Sequence, residues 1–301
     1  MEIAAVIVTY NRQALLEQCL QAVVQQKPVA PDILVFDNAS SDGTQQMMQQ
    51  KYTESFIRYY RSEKNLGGAG GFCRAIEMAV SLGYKKLWIM DDDTLPQQAA
   101  LQRLLAADSA QEGAYGFLGS RVLWKDGQPC VMNRQRDTIF RDVPDTAQGL
   151  TPVVMSSFVS LFLDAARVRE LGLPIEDFFI WCDDWEYTRR ISLRYPCYLV
   201  PDSIVIHAMQ SNTPVNIATD APGRLDRYRY FYRNDVVLFR REGPVGWAYL
   251  VVKDLWHSLQ VLWSGRQRLK KLGIIWSGFF RGVFFFPAIR RLSPGGEETQ
   301  N

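Results

Sequence analysis

The sequence predicts an α/β fold, a mostly parallel β-sheet flanked by helices, with a helical extension at its C-terminal end. Three observations carry that prediction. Short apolar, β-branched runs alternate with helix-patterned segments between residues 3 and 90. Each apolar run stops at a polar cluster. From Tyr228 onward the alternation ends, and aromatics and arginines interleave in a pattern that suits long helices.

The elements follow in order. Residues 3–9 form a continuous apolar run broken at Asn11, the pattern of a buried strand. Over 14–25 the side chains Leu15, Leu16, Cys19, Leu20 and Val23 recur at helical spacing. Residues 33–36 make a second strand, stopped by Asp37-Asn38, and 43–50 are helical in composition. A strand over 57–60, a helix over 69–82 and a strand over 86–90 complete the alternation. The middle section, 113–160, is richer in short strands and turns. Residues 153–163 read as one buried strand, 165–171 as a helix and 203–207 as a further strand. The residues past Pro294 read as a frayed tail.

The 301 residues are 47% hydrophobic, enough for a sizeable core, and the net charge of +2 lacks the basic excess of a nucleic-acid binder. The cysteines Cys19, Cys73, Cys130, Cys182 and Cys197 form no C-x-x-C pair, so free thiols in a reducing compartment are expected. The N-terminal segment has an acid at Glu2 and no basic stretch before its apolar run, and reads as a strand rather than a leader.

In a sheet of this kind ligands sit beyond the carboxyl ends of the strands. The polar clusters fall there: Thr9-Tyr10-Asn11-Arg12, Asp37-Asn38-Ala39-Ser40, Asn65-Leu66-Gly67-Gly68 and Asp91-Asp92-Asp93 follow four successive strands. Three adjacent carboxylates repel one another. A hard divalent cation such as Mg²⁺ or Mn²⁺ relieves that repulsion and shares its coordination with phosphates. Side chains alternate along an extended chain, so Asp91 and Asp93 can face one way and Asp92 the other. Asp37 can accept a hydrogen bond from a uracil ring or a ribose, while Ser40 or Ser41 suits a cap for the next helix.

Gly67, Gly68, Gly70 and Gly71 open a helix, where the backbone can approach a ligand and the N-terminus favours an anion. Gly68 and Gly70 fit two positions of a dinucleotide fingerprint, but Cys73 fills the third. Asp183-Asp184 lies between Trp181 and Trp185. Burial beside aromatics raises a carboxylate pKa toward the range of a general base, and aromatic faces can hold a sugar. The same acids also suit a helix N-terminus. His207 ends a strand and offers a further ligand to the carboxylate metal site.

In this order the segments VIVTYNR, DNASSDGT, NLGGAGGF, MDDDT, FIWCDDWEY and His207 resemble glycosyltransferase family 2, over roughly residues 3–210. The resemblance implies the Rossmann-like GT-A fold, and NLGGAGGF with the acidic segment looks most like the galactofuranosyltransferase branch. It implies a UDP-galactofuranose donor, an Mn²⁺ or Mg²⁺ cofactor and inversion at the anomeric carbon. Thr9, Arg12, Asp37 and Asn65 would then hold the nucleotide, with Tyr10, Asn38, Gly67, Gly68 and Asp92 beside them. Asp91, Asp93 and His207 would hold the metal, Asp184 would be the base, and Trp181 and Trp185 would meet the acceptor. Cys182 stands between Trp181 and the first acid, which leaves Asp183 and Asp184 both open for the base. Related rhamnosyltransferases, which use dTDP-rhamnose, share most of these motifs. A nucleotide-sugar-binding partner without turnover is the alternative from another class. Set beside the long polymerising members, the resemblance leads to the expectation of a chain without their extra N-terminal domain that adds one or a few residues to a polysaccharide of the O-antigen type.

Between 228 and 291 arginines and lysines far outnumber the acids Asp235, Glu242 and Asp254. Residues 272–289 come nearest to a spanning segment, but Arg281 sits at their middle and Pro287 near their end. A charge at the bilayer centre costs about 2.5–3.5 kcal/mol on insertion scales. An interfacial helix is therefore expected, with a helix packed on the rest of the chain as the alternative. Residues 1–225 are expected to form the catalytic domain. Residues 226–301 are expected to hold it, as a peripheral protein, at the cytoplasmic face of the inner membrane, where lipid-linked or polysaccharide acceptors are presented.

Overall fold

The computed structural model describes residues 2–264 and 266–292. The N-terminal alternation is realised as β1 (Ile3–Thr9), α1 (Gln13–Val24), β2 (Asp32–Asp37), α2 (Thr44–Lys51), β3 (Ile57–Arg61), α3 (Gly67–Ser81) and β4 (Lys86–Asp91). The four strands pair in parallel in the order β3-β2-β1-β4. β1, β2 and β4 read as largely unbroken apolar runs because both faces are covered, while β3, at the sheet edge, is Ile-Arg-Tyr-Tyr-Arg and half-exposed. Ala4, Val6 and Val8 of β1 join Phe72, Ile76 and Ala79 of α3 in one core cluster, while Ala5 and Ile7 join Leu16, Cys19 and Leu20 of α1 in another. Burying one such large side chain is worth about 1.5–3 kcal/mol. A one-residue slip would exchange the two faces, so the register is firmly set. It places Thr9 opposite Asp37, Asp37 opposite Arg61 and Val8 opposite Asp91, so the polar strand ends share one edge.

The chain continues through β5 (Thr94–Pro96), α4 (Ala100–Ala110), β6 (Leu118–Trp124), the small hairpin of β7 (Arg136–Thr138) and β8 (Arg141–Asp142), and β9 (Thr151–Pro152). Then follow β10 (Leu161–Asp164), α5 (Ala165–Leu171), α6 (Asp183–Ser192) and β11 (Tyr198–His207). β10 runs antiparallel between β4 and β6; β11 pairs in parallel with β6 and antiparallel with β5. The single strand expected over 153–163 is corrected. Only Leu161–Asp164 is extended there, and Phe158–Ser160 forms a 3-10 turn. The apolar signal came from burial rather than extension: Phe158, Val159 and Ser160 are all enclosed, and Trp88 Nε1 donates to Ser160 Oγ at 2.9 Å. β11 starts earlier than predicted, because a register shift between Val200 and Ile204 accommodates Pro201 and lets pairing continue.

The C-terminal helices are α7 (Tyr228–Arg240), α8 (Gly243–Ser264) and α9 (Arg268–Val283). The helix expected over 272–289 is shifted. It begins at Arg268 and stops at Val283, ahead of Pro287, whose ring bars a continuing helix. α9 packs closely on α7: a Cβ at Gly282 would fall 2.6 Å from the Arg233 carbonyl oxygen. α7 in turn packs on the sheet portion, with Val237 clustered among Ala69, Ile175 and Phe178. Arg189 of α6 also makes a two-point ion pair with Glu242, at 2.6 and 2.9 Å. Among the described residues no helix is long and apolar enough to cross a membrane. The tail expected past Pro294 lies outside the described residues.

Candidate active site

Asp91 closes β4, and the two carboxylates after it diverge. Asp92 turns to the end of β1, where Thr9 donates its hydroxyl at 2.8 Å and Arg12 its guanidinium at 3.2 Å. Asp93 turns to β11: His207 Nε2 lies 2.9 Å from one oxygen and Arg12 Nη1 2.7 Å from the other. The antiparallel pairing of His207 with Thr94 brings the histidine there. One ligand atom each from Asp91, Asp93 and His207 lie within 4.8 Å of one another. Carboxylate oxygens and one imidazole nitrogen suit a divalent cation of the Mn²⁺ or Mg²⁺ kind. Burial, followed by the charge of Asp93, pushes the Asp91 carboxyl up to about 7, so added positive charge here would be stabilising. Burial by itself would lower the His207 pKa, but the hydrogen bonds to Asp93 and Cys130 and the charges of Asp93 and Asp91 together outweigh it and lift the ring to about 10. His207 Nδ1 lies 2.8 Å from Asn133 Oδ1, which orients the ring with Nε2 toward Asp93. No local pattern in the sequence marks Asn133 for this role.

The second and third clusters are knitted together. Asp37 is fully enclosed; it accepts from the Ser40 amide at 2.8 Å and from the Tyr59 hydroxyl, with Arg61 Nε 3.6 Å away. The serine cap expected for α2 is corrected, because Ser40 Oγ instead accepts from the Asn11 amide at 2.9 Å and Asp42 accepts from Thr44. Asn38 donates to Asn65 Oδ1 at 3.0 Å and to the Gly67 carbonyl at 2.9 Å, and accepts from the Leu66 amide at 2.8 Å. Gly67 has φ +75°, and a Cβ there would sit 2.1 Å from the Phe179 carbonyl oxygen. A Cβ on Gly68 would meet nothing within 4 Å, so that side of the loop is open. Tyr10 is exposed beside Arg12.

The acidic segment arrives from the opposite part of the chain. Phe179, Trp181 and Cys182 have positive φ values of 64°, 67° and 67°, which side-chain-bearing residues rarely adopt. A fully buried residue of α7 holds this loop: Asn234 Nδ2 donates to the carbonyls of Phe178, Ile180 and Trp181 at 3.0, 3.1 and 2.9 Å. The Phe179 carbonyl accepts from the Ala69 amide at 3.1 Å, tying the loop to the start of α3. Asp183 and Asp184 then open α6, the first buried and the second half-buried. Burial raises Asp183 to about 6. Burial, and then the charge of Asp183, holds Asp184 well above the usual carboxylate range. The charge of Asp91 raises Asp184 further, so Asp184 lies within electrostatic reach of the carboxylates at the end of β4. Trp185 lies under the Arg136 guanidinium, 4.0 Å from its ring centroid, and Trp181 packs edge-on against Tyr228 at 5.2 Å.

A mixed sheet with a carboxylate–histidine cluster at its carboxyl edge, faced by a second acidic pair, defines a glycosyltransferase of the GT-A fold. The chain belongs to glycosyl transferase family 2, whose family model matches residues 4–158. Within that family it is similar to galactofuranosyltransferase GlfT1 of Mycolicibacterium smegmatis, at 27% identity over 197 residues, 63% of this chain and 65% of the relative. GlfT1 of Mycobacterium tuberculosis is 25% identical over 295 residues, 87% of this chain and 95% of the relative. Among solved structures, mannosyltransferase PcManGT of Pyrobaculum calidifontis, in complex with GDP-Man and Mn²⁺, superposes with a TM-score of 0.56. It is 14% identical, and the match covers 94% of this chain and 75% of that one.

Proposed function

We propose that the protein is an inverting, divalent-metal-dependent transferase that moves galactofuranose from UDP-galactofuranose to a glycan acceptor of a cell-surface polysaccharide. One observation carries the chemistry: Asp184, its pKa raised by burial, lies within electrostatic reach of Asp91. The likeness to two galactofuranosyltransferases supports the donor. Asp91, Asp93 and His207 are the residues that would hold Mn²⁺ or Mg²⁺, which when bound supplies positive charge to the leaving diphosphate.

The remaining roles belong to the chain itself. Arg12, half exposed and bridging Asp92 and Asp93, is placed to pair with a phosphate. The start of α3 is open to an anion at Gly68, while the Gly67 amide is given to Asn65 Oδ1. Exposed Asn65 takes the uridine side of the donor, with the enclosed Asp37 bracing that edge and Thr9, Tyr10, Asn38 and Asp92 beside them. Asp184 accepts the proton of the attacking hydroxyl, and Trp181 and Trp185 bound the acceptor's approach. A single displacement needs no enzyme nucleophile. Residues 1–225 carry this chemistry, and residues 226–301 hold it at the cytoplasmic face of the inner membrane, where a lipid-linked or polysaccharide acceptor is presented.

Thermal-shift titration with UDP and dTDP, each with and without Mn²⁺, tests donor and metal together. UDP with Mn²⁺ is expected to stabilise more than dTDP; a ligand at a hundredfold its Kd adds about 2.7 kcal/mol. A preference for dTDP moves the donor to dTDP-rhamnose, and no response to either sinks the site assignment. Asp184→Asn is expected to lower transfer by at least ~10²-fold and to spare UDP binding. Transfer that survives the substitution removes Asp184 from the role of base.

A further inference from the structure

For a helix at a protein surface, α8 is built inside out. Its two charged side chains face the protein: Lys253 Nζ lies 2.9 Å from Asp254 and is paired with Asp235 of α7, with 10% and 1% of the Lys253 and Asp254 side chains exposed. Its outward positions are apolar. Val252, Leu255, Trp256, Leu259, Leu262 and Trp263 are each 46–78% exposed. At 3.6 residues per turn these six fall within an arc of roughly 120° and run about 17 Å along the axis, so they form one stripe. Just beyond it the chain turns basic. Arg266, Arg268 and Lys270 are exposed, and no Asp or Glu occurs from 255 to 292.

Contiguous exposed apolar surface of this kind marks contact with another surface. Charge decides which. In a two-fold contact a second copy would set its own Arg266, Arg268 and Lys270 against these, and residues 255–292 supply no acid to meet them. An anionic bilayer meets both parts of the surface, with headgroups for the bases and the acyl boundary for Leu and Trp. No described helix is long and apolar enough to span, so α8 would lie along the membrane plane with Lys253 and Asp254 kept on its far side.

We propose that the outward stripe of α8, with Arg266, Arg268 and Lys270 at its end, docks the enzyme flat on an anionic lipid bilayer. The proposal deepens the reading of a membrane-presented acceptor and rests on it. Its test needs neither sugar nor acceptor. Full-length protein is sedimented with vesicles of phosphatidylglycerol and phosphatidylcholine, and with vesicles of phosphatidylcholine alone. Wild type is expected to bind the anionic vesicles at least tenfold more tightly than the neutral ones. Leu259→Glu with Trp263→Glu is expected to weaken that binding at least tenfold, with melting temperature and Mn²⁺-dependent UDP binding unchanged. Arg266→Glu with Arg268→Glu and Lys270→Glu is expected to remove the preference for anionic lipid.

Three results overturn the proposal: the apolar-face variant pelleting like wild type, wild type remaining in the supernatant with anionic vesicles, or a lipid-free dimer that Leu259→Glu dissolves. The last would assign the stripe to a second copy. UDP binding is read on the same preparations. Lost docking therefore leaves the sugar-transfer reading standing, and lost UDP binding in wild type counts against that reading alone.

Discussion

Asp184 is held in a state that its ionised form opposes. Its folded pKa lies well above the 3.8 of a free aspartate, because burial and the charge of Asp183 both disfavour the anion. The folded chain therefore keeps this proton over a pH range in which the unfolded chain has lost it. That contribution to stability is full below the unfolded pKa and is lost as pH rises through the folded pKa. By pH 8 burial of this group therefore costs stability that it does not cost near pH 4. Asp184→Asn is thus expected to melt at a higher temperature than wild type at pH 8, with the gap closing toward pH 4, in calorimetric scans across that range. With Asp184 as the proposed base, transfer needs its anion, so the acid limb of kcat/KM is expected above the usual carboxylate range; a limb near pH 4 would contradict the raised pKa. This group was legible in the sequence as one of two candidates. The choice between Asp183 and Asp184 was not, because it turns on which of the two lies nearer the β4 carboxylates, a matter of packing between distant segments.

At the scale of elements, the decisive contact runs from α7 to the loop before α6. Three positive-φ residues without glycine cost of order 1–3 kcal/mol each, and such a conformation persists only when its surroundings over-determine it. Asn234 supplies part of that constraint through three backbone carbonyls. Asn234→Ala leaves those buried acceptors short of a donor, a loss of about 1–3 kcal/mol. If the loop positions the base, kcat is expected to fall further than stability alone explains, while the KM for donor changes little. A purely structural role would lower the melting temperature and leave kcat at permissive temperature intact. The helices of the N-terminal half were readable from their period, and the strands from short apolar runs stopped by polar clusters. Phe158–Ser160 was not, because a run enclosed on all sides carries no period.

Over the whole molecule, the C-terminal helices complete the site as well as extend it. α7 brings Asn234, and the segment after it brings Arg241 and Glu242, which pair with Glu186 and Arg189 of α6. A chain ending at Leu225 is therefore expected to lose UDP-dependent transfer and to melt early or aggregate, because Glu186 would keep only Arg190 as a partner in a buried setting. A truncated chain that melts like the full protein would show that α7 merely leans on the catalytic part. By itself, the sequence determined the α/β alternation, the family and the convergence of four polar clusters on one edge, since all three depend on the local order of apolar runs, helical periods and motifs; it also grouped His207 with Asp91 and Asp93. Only the tertiary structure decided that Asn133 orients His207, that Asn234 locks the acidic loop and that α8 turns its charges inward. Each of those joins residues distant in the chain, and the geometry that selects them exists only once the sheet register and the helix packing are set.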